Sequence, residues 1–543
     1  MKISVSKTFL VLFINLFIVR VSFCQVKNEA WYIKNAPFKM AAPKLPVFSG
    51  KVFSIKDYGA VAGGQTLNTT AFEKAITACN KAGGGKVTVP AGLWLTGPIQ
   101  LKSNINLCVE RGAIVLFTSD LTQYPIIKAG SNSNSFVPAS PIYGYDVTNI
   151  AITGEGIIDG AGENWRPVKK SKVTDGQWKA LLAKGGAVSN DGTVWWPSKE
   201  AMDGETYLKE LKINKPNAVA EDYLPARTFL RPYMLYLVNC SNILVENITL
   251  RNSPKFVFYP TRCTNLTIRN ATFFNEWWAQ NGDAVDISAC KNVLIYKVTV
   301  SAGDDGICMK SSAGKNDASG NFALENIVIA GCTVYHGHGG FVIGSNTDGG
   351  MRNIAVTDCS FIGTDIGVRV KSNYGRGGQV KDIYVSNIAM SDIVNEAVLF
   401  ETSYEDLPAG VTKDSTIKVK IDKTPAFSRF FFNNIHCKGA KKAISITGLP
   451  EMPANNISFK NVTISSSFGL MAKDAADITL DNVKLICNKE PVNWLQNVQR
   501  FTVSNGYFGA GNKIFIKADA KSSGIKVNST DLHGIADAVQ LAQ

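Results

Sequence analysis

The sequence predicts an all-β fold, a solenoid of parallel strands closed at one end by a short N-terminal capping helix, and three observations predict it. A turn sequence recurs: Cys240-Ser-Asn-Ile-Leu-Val, Cys263-Thr-Asn-Leu-Thr-Ile and Cys290-Lys-Asn-Val-Leu-Ile are continued by Asn326-Ile-Val-Ile, Asn353-Ile-Ala-Val and Asp382-Ile-Tyr-Val, and the series resumes at Asn456 and Asp477. From Asn242 to Asn265, Asn292, Asn326, Asn353 and Asp382 the steps are 23, 27, 34, 27 and 29 residues. Each step carries β-branched alternation and turn residues but no helical period, which fits one coil per step better than a sandwich of hairpins. Third, Thr70-Ala-Phe-Glu73 reads as a capping box, Phe72, Ala75, Ile76 and Cys79 follow at helical spacing, and Gly83-Gly84-Gly85 ends the helix. That helix would cover the open apolar end of the stack.

Along the chain, residues 1–24 place Lys2 and Lys7 before an apolar run and end in Ser22-Phe23-Cys24, the pattern of a secretory signal cleaved before Gln25. Lipid anchoring at Cys24 is the lesser reading, because bulky Phe23 precedes it. No later run is long enough to predict a transmembrane segment, so a secreted or periplasmic protein is expected. Residues 25–50, with Pro37, Pro43 and Pro46, read as an extended lead-in. Residues 51–543 read as one solenoid domain with a long insertion at about 159–231, where the periodicity lapses and Trp165, Trp178, Trp195 and Trp196 appear among Lys, Asp and Gly. Those rings would either stack on sugar faces or form a small satellite core.

The 543 residues are 45% apolar and 19% charged, enough for a packed core and unlike a disordered chain. Loss of Lys2, Lys7 and Arg20 with the signal takes the formal charge from +13 to +10, so a polyanionic partner is plausible: a polyuronide, a nucleic acid or an anionic membrane. Ten of the eleven cysteines lie beyond the signal. Cys240, Cys263 and Cys290 share one column, and Cys332 and Cys359 another. Three stacked cysteines cannot all pair, so apolar filler is expected rather than a disulfide framework.

Register brings the chemistry together. Aligning the strand after each turn sets Asp283-Ala-Val-Asp286 beside Asp305-Gly-Ile-Cys308, then Gly339-Gly-Phe-Val342, then Ile366-Gly-Val-Arg369. One column holds Gly282, Asp304, His338 and Asp365, the next Asp283, Asp305, Gly339 and Ile366, and a third Asp286, Cys308, Val342 and Arg369. Coils stack about 4.8 Å apart, so Asp283, Asp304, Asp305 and His338 converge. Asp304 and Asp305 can share a cleft only at a turn, which Gly303 and Gly306 allow. Like charges about 4 Å apart repel by roughly 4 kcal/mol at an effective dielectric of about 20, so one carboxyl should keep its proton beside an ionised neighbour. A protonated acid beside an ionised base suits glycoside hydrolysis; a Ca²⁺ site or hydrated turn aspartates are the plainer alternatives. Arg369 and Lys371 project to one face and suit a carboxylate, as in an acidic sugar.

At these residues the sequence resembles glycoside hydrolase family 28, the polygalacturonase family. The ordered markers are Asn281-Gly282-Asp283, Asp304-Asp305, Gly337-His338-Gly339 and Arg369-Val370-Lys371, with Phe53-Ser-Ile-Lys-Asp-Tyr-Gly-Ala60 and Trp94-Leu-Thr-Gly-Pro98 similar to the family's N-terminal signature. The resemblance implies a right-handed parallel β-helix that hydrolyses α-1,4 galacturonide bonds of pectic polysaccharide, with inversion and with no metal or other cofactor. It implies Asp304 as general acid, Asp283 and Asp305 as the pair that positions and deprotonates water, and His338 as the group that orients the acid. Arg369, Lys371 and Asn281 would bind substrate. An inverting pair needs roughly 6.5–9.5 Å for the intervening water, which the columns allow only diagonally, between Asp304 and Asp283.

Gly282, Ala284 and Phe256-Val-Phe-Tyr-Pro260 depart from the family pattern and leave the sugar sequence open to rhamnogalacturonan or xylogalacturonan. His336 is either a sugar contact or a solvent-facing turn residue. A Ca²⁺-dependent lyase and a non-catalytic carbohydrate-binding solenoid are the rival readings. An acidic pectic polymer or oligomer is the expected partner, nucleic acid is not, and a monomer is expected. The insertion, by walling off one end of a groove, would favour exo action.

Overall fold

Asparagine held in the left-handed region is the device that turns the chain. Asn104, Asn149, Asn242, Asn265, Asn292, Asn326 and Asn353 have φ between 52° and 64° in the computed structural model, and Asp382 takes the same place at 59°. Asn tolerates this conformation better than most residues because its short amide bonds locally. Here the amides also bond one another up the stack: Asn149 donates to Asn104 (3.1 Å), Asn242 to Asn149 (3.0 Å), Asn265 to Asn242 (3.2 Å), Asn326 to Asn292 (3.3 Å) and Asn353 to Asn326 (3.0 Å). The structure describes residues 27–131, 133–312, 322–403, 423–509 and 511–542; the signal sequence read at 1–24 lies outside them.

Each coil contributes strands to three parallel faces of a right-handed β-helix. One internal column shows why the stack holds. Ile243, Leu266, Val293, Ile327, Ile354, Ile383, Phe430, Ile457 and Ile478 are successive register partners, and all are buried. Each such side chain adds about 1.5–3 kcal/mol by leaving water, and no coil could bury its apolar face without its neighbours. The column cysteines are buried and unpaired as expected. Cys240, Cys290, Cys332 and Cys359 each direct Sγ to the carbonyl two residues earlier, at 3.2–3.5 Å.

The cap is a helix over Thr69–Lys81 that buries Phe72, Ala75, Ile76 and Cys79. It starts two residues earlier than the capping box predicts. Asn68 is the N-cap and makes no side-chain cap bond. Its buried amide instead bonds Val61, Thr66 and Leu95, tying the loop to the first coil. The lead-in is not extended throughout: Asn28 caps a short helix over Glu29–Lys34, and Tyr32 packs on Leu294, Tyr296, Val328 and Ala330.

The insertion builds its own small unit. Helices over Asp175–Ala183 and Lys199–Asn214 flank an antiparallel sheet of Val168–Lys169, Val194–Trp196 and Ala187–Val188. Of the four tryptophans, Trp178 and Trp195 pack with Val168 in a satellite core, Trp165 is buried edge-on to Tyr124 (5.0 Å), and Trp196 stacks on Phe229. They pin the insertion and are not an open sugar platform. Among the described residues no helix is long and apolar enough to cross a membrane.

Candidate active site

The predicted columns are present. Asp286 pairs with Cys308, Cys308 with Val342 and Val342 with Arg369, while Asp305 pairs with Gly339. Ala284 N–H donates to the Asp305 carbonyl (3.0 Å), which seats Asp283 beside the Asp304-Asp305 turn. Gly303 and Gly306 serve close approach rather than unusual dihedrals. A Cβ on Gly303 would lie 2.3 Å from the Ala279 carbonyl oxygen, and one on Gly306 2.8 Å from Val334.

Asp283, Asp304 and Asp305 each bring an oxygen within 4.8 Å of the others. This is closer than the diagonal spacing of roughly 6.5–9.5 Å expected for an inverting pair. His338 N–H donates to the Asp304 carbonyl (2.7 Å), and His338 Nδ1 lies 3.0 Å from Asp304 Oδ1. Asp304 is the accessible acid, its side chain 17% exposed, whereas Asp283 and Asp305 are buried.

Lysines compensate the buried charge. Lys371 was expected beside Arg369 as an open donor. Instead it is 4% exposed, with Nζ 2.8 Å from Asp305 Oδ2. Lys310, which the sequence reading missed, stands 3.4 Å from Asp286 Oδ2 and 3.8 Å from Asp283 Oδ2. Burial, reinforced by Asp286, Asp304 and Asp305, pushes the Asp283 carboxyl well above the usual carboxylate range. Asp286, fully buried, is pushed up to about 6, again chiefly by burial. For Asp305 burial acts in the same sense but is outweighed by Lys371, Lys310 and Arg369, which hold it well below that range. A divalent cation could span the three carboxylates, but Asp283 and Asp305 already face the ammonium groups of Lys310 and Lys371.

The cleft is cationic beyond this. Arg369 Nη1 donates to the His338 carbonyl (3.3 Å). Arg231 donates to Asn281 Oδ1 and to the Gln280 carbonyl, both at 2.9 Å, so the amide oxygen of Asn281 is already engaged. Lys255 sits over the rings of Tyr233 and Phe256, and burial pushes its ammonium down to about 8. From the insertion, Lys172 reaches His338, beside Trp277, which is 48% exposed. His336 is exposed in the turn. Asp286 stood in a predicted column without a role, and Lys310, which was missed, had a usable signal, since it lies two residues from Cys308 in that column. Lys172 had none, being 166 residues from its partner.

Residues 226–489 match the family model described as Glycosyl hydrolases family 28. They contain Asp283, Asp304, Asp305, His338, Arg369 and Lys371. Over this segment the chain is similar to glycoside hydrolase family 28. Over 453 residues it is 29% identical to an exo-poly-alpha-D-galacturonosidase of Dickeya chrysanthemi, covering 77% of this chain and 72% of that one. A probable polygalacturonase of Vitis vinifera is 28% identical over 422 residues, 76% of this chain and 74% of the relative. Among solved structures, the exopolygalacturonase of Thermotoga maritima superposes with a TM-score of 0.67 at 26% identity, over 82% of this chain and 94% of that one. The family match begins after most of the insertion, so Lys172 lies outside it.

Proposed function

We propose that the protein is a secreted, exo-acting hydrolase of α-1,4 galacturonide linkages in pectic polysaccharide, working as one catalytic unit over residues 51–543. The observation that carries this reading is the divergence of neighbouring carboxyls, Asp283 pushed up and Asp305 held down, within 4.8 Å of the accessible Asp304. Opposed proton affinities at one site are what acid–base catalysis uses.

In the proposed reaction Asp304 delivers its proton to the departing glycosidic oxygen. Water enters against Asp283 and Asp305, and the ionised Asp283, the stronger base of the two, takes its proton. Asp305 carries an ion pair to Lys371 and Asp283 faces the ammonium of Lys310, so neither offers a bare carboxylate to the anomeric carbon. Direct attack by water, with inversion, fits that state better than a covalent intermediate. Arg369 binds the uronate carboxylate, and Lys371 keeps Asp305 charged. The names of the Dickeya and Thermotoga proteins, together with the insertion at the groove, support exo action.

Incubation with polygalacturonate, with products sized and the first-formed anomer read by ¹H NMR, tests the reading. Small uronides of inverted configuration, formed in the presence of chelator, are expected. An ultraviolet-absorbing unsaturated product would make it a lyase. An unchanged reducing-end count on all pectic polymers would make it a binding solenoid, and cleavage only of rhamnogalacturonan or xylogalacturonan would change the substrate.

A further inference from the structure

The insertion is anchored where it leaves the solenoid. Arg166 is buried and donates to the Ser253 carbonyl (2.6 Å), to Asn252 Oδ1 (3.1 Å) and to Glu276 Oε2 (3.2 Å). Four residues on, Lys170 N–H bonds the Thr193 carbonyl (2.8 Å) and opens a single turn over Lys170–Lys172. Fixed in this way, Lys172 places Nζ 3.2 Å from His338 Nε2 and 5.7 Å from the centre of the Trp277 ring. The charged groups facing the imidazole are Asp304 at Nδ1 (3.0 Å), Lys172 at Nε2 (3.2 Å) and Asp365, whose Oδ2 is 3.8 Å from Nε2 and beyond hydrogen-bond range. Behind the ring, Arg369 Nη1 donates to the His338 backbone carbonyl (3.3 Å).

An ammonium group has three donors and no acceptor. At 3.2 Å, Nε2 must therefore be the acceptor, the ring proton lies on Nδ1, and Nδ1–H donates to Asp304 Oδ1. With Oδ1 held as an acceptor, the proton of the acid resides on Oδ2, free to pass to the departing oxygen. The other tautomer would leave Nδ1 as an acceptor and draw the Asp304 hydroxyl toward the histidine, away from substrate. We infer that Lys172 of the insertion is a positioning residue: it fixes the tautomer of His338 and so directs the proton of Asp304 outward. This rests on the hydrolase reading for its consequence but not for its test.

The full-length chain has four histidines, so ¹⁵N-histidine labelling gives a resolvable spectrum, with His336→Gln and His338→Asn to assign it. Long-range ¹H–¹⁵N correlation without substrate should show His338 protonated at Nδ1 only. In Lys172→Met a population protonated at Nε2 should appear. On pectic substrate kcat should fall by about tenfold, a modest part of what a general acid contributes, while KM stays within about twofold. Lys172→Arg, also a pure donor, should restore both. A wild-type ring protonated at Nε2, or a Lys172→Met spectrum and kcat like wild type, would overturn the inference. So would a rise in KM alone, which would make Lys172 a substrate ligand. A wild-type chain inert on every galacturonide would defeat the proposed function, yet the tautomer would still decide this one.

Discussion

The asparagine turn and the acidic turn are two corners of the same coils, and they differ in what they repeat. At the first, Asn292, Asn326 and Asn353 do one job three times, each a neutral amide bonded to the next. At the second, the equivalent places hold Gly282, Asp304, His338 and Asp365, with no residue type repeated in successive coils. Repetition answers a need every coil shares, the pairing of turn backbone. Its interruption concentrates charge that the stack does not need, and the structure must then supply Lys310 and Lys371 to neutralise it. A solenoid thus separates its scaffold from its chemistry by corner rather than by domain.

The sharpest way to break this comparison is to blunt the acidic corner. Asp304→Asn should lower kcat by about 10³-fold, within the range a positioned general acid supplies, with substrate binding retained in a titration of the inactive protein. Undiminished turnover would move the acid elsewhere. Lys371→Met should act on folding as well as on turnover. It strands the buried Asp305 charge, at a cost of about 3–5 kcal/mol, seen as a lower midpoint of urea unfolding. Adding Asp305→Asn should return most of that stability and none of the activity.

How much of this was legible follows from the same contrast. The Asp283, Asp304, Asp305 and His338 columns could be read because the coil period carries register directly from sequence to space, and the observed pairs of Asp286, Cys308, Val342 and Arg369 are those the alignment gave. Side-chain pairing was not legible. That Lys371 turns in to Asp305 while Arg369 stays near the surface depends on burial, which alternation along a strand does not specify. Residues outside the repeat fared worst: the helix over Glu29–Lys34 and the reach of Lys172 to His338 follow from local caps and anchors without a period. The tryptophans of the insertion signalled an apolar cluster, and only packing showed that it faces inward.

Two substitutions sharpen the electrostatic side. Arg369→Gln removes a charge-assisted donor worth about 1.5–3 kcal/mol. It should raise KM for uronate substrates by about 10- to 100-fold and change kcat far less; equal loss in both would place Arg369 in the transition state. Asp286→Asn removes one of the like charges that keep Asp283 protonated, and it releases Lys310 toward Asp283. Because Asp283 must ionise to act as base, activity rises with pH through its titration, so the acidic limb of kcat/KM should move to lower pH. The stability curve should flatten as well. Native Asp286 keeps its proton from the ordinary value near 3.8 up to about 6, so the native state binds the extra proton and wild-type stability falls as pH rises across that window. An unmoved limb would remove Asp283 from the base role.

At the asparagine corner the expected effect on turnover is nil, and the test is whether the two corners are separable. Asn353→Ala loses the amide bond to Asn326 and keeps a Cβ in the left-handed region, at φ 56°, without the short amide that makes Asn tolerant of it. The first costs about 1 kcal/mol, and the second leaves more of the about 1–2 kcal/mol Cβ penalty unrelieved. Asn353→Gly loses the same bond but keeps the dihedral at little steric cost, so it should sit roughly midway between wild type and alanine in urea midpoint. Should both variants match wild type in stability, the ladder would be ornament to a stack held by its apolar columns alone. Should either lose kcat, the corners would be coupled through the coil, and the division of labour drawn here would fail.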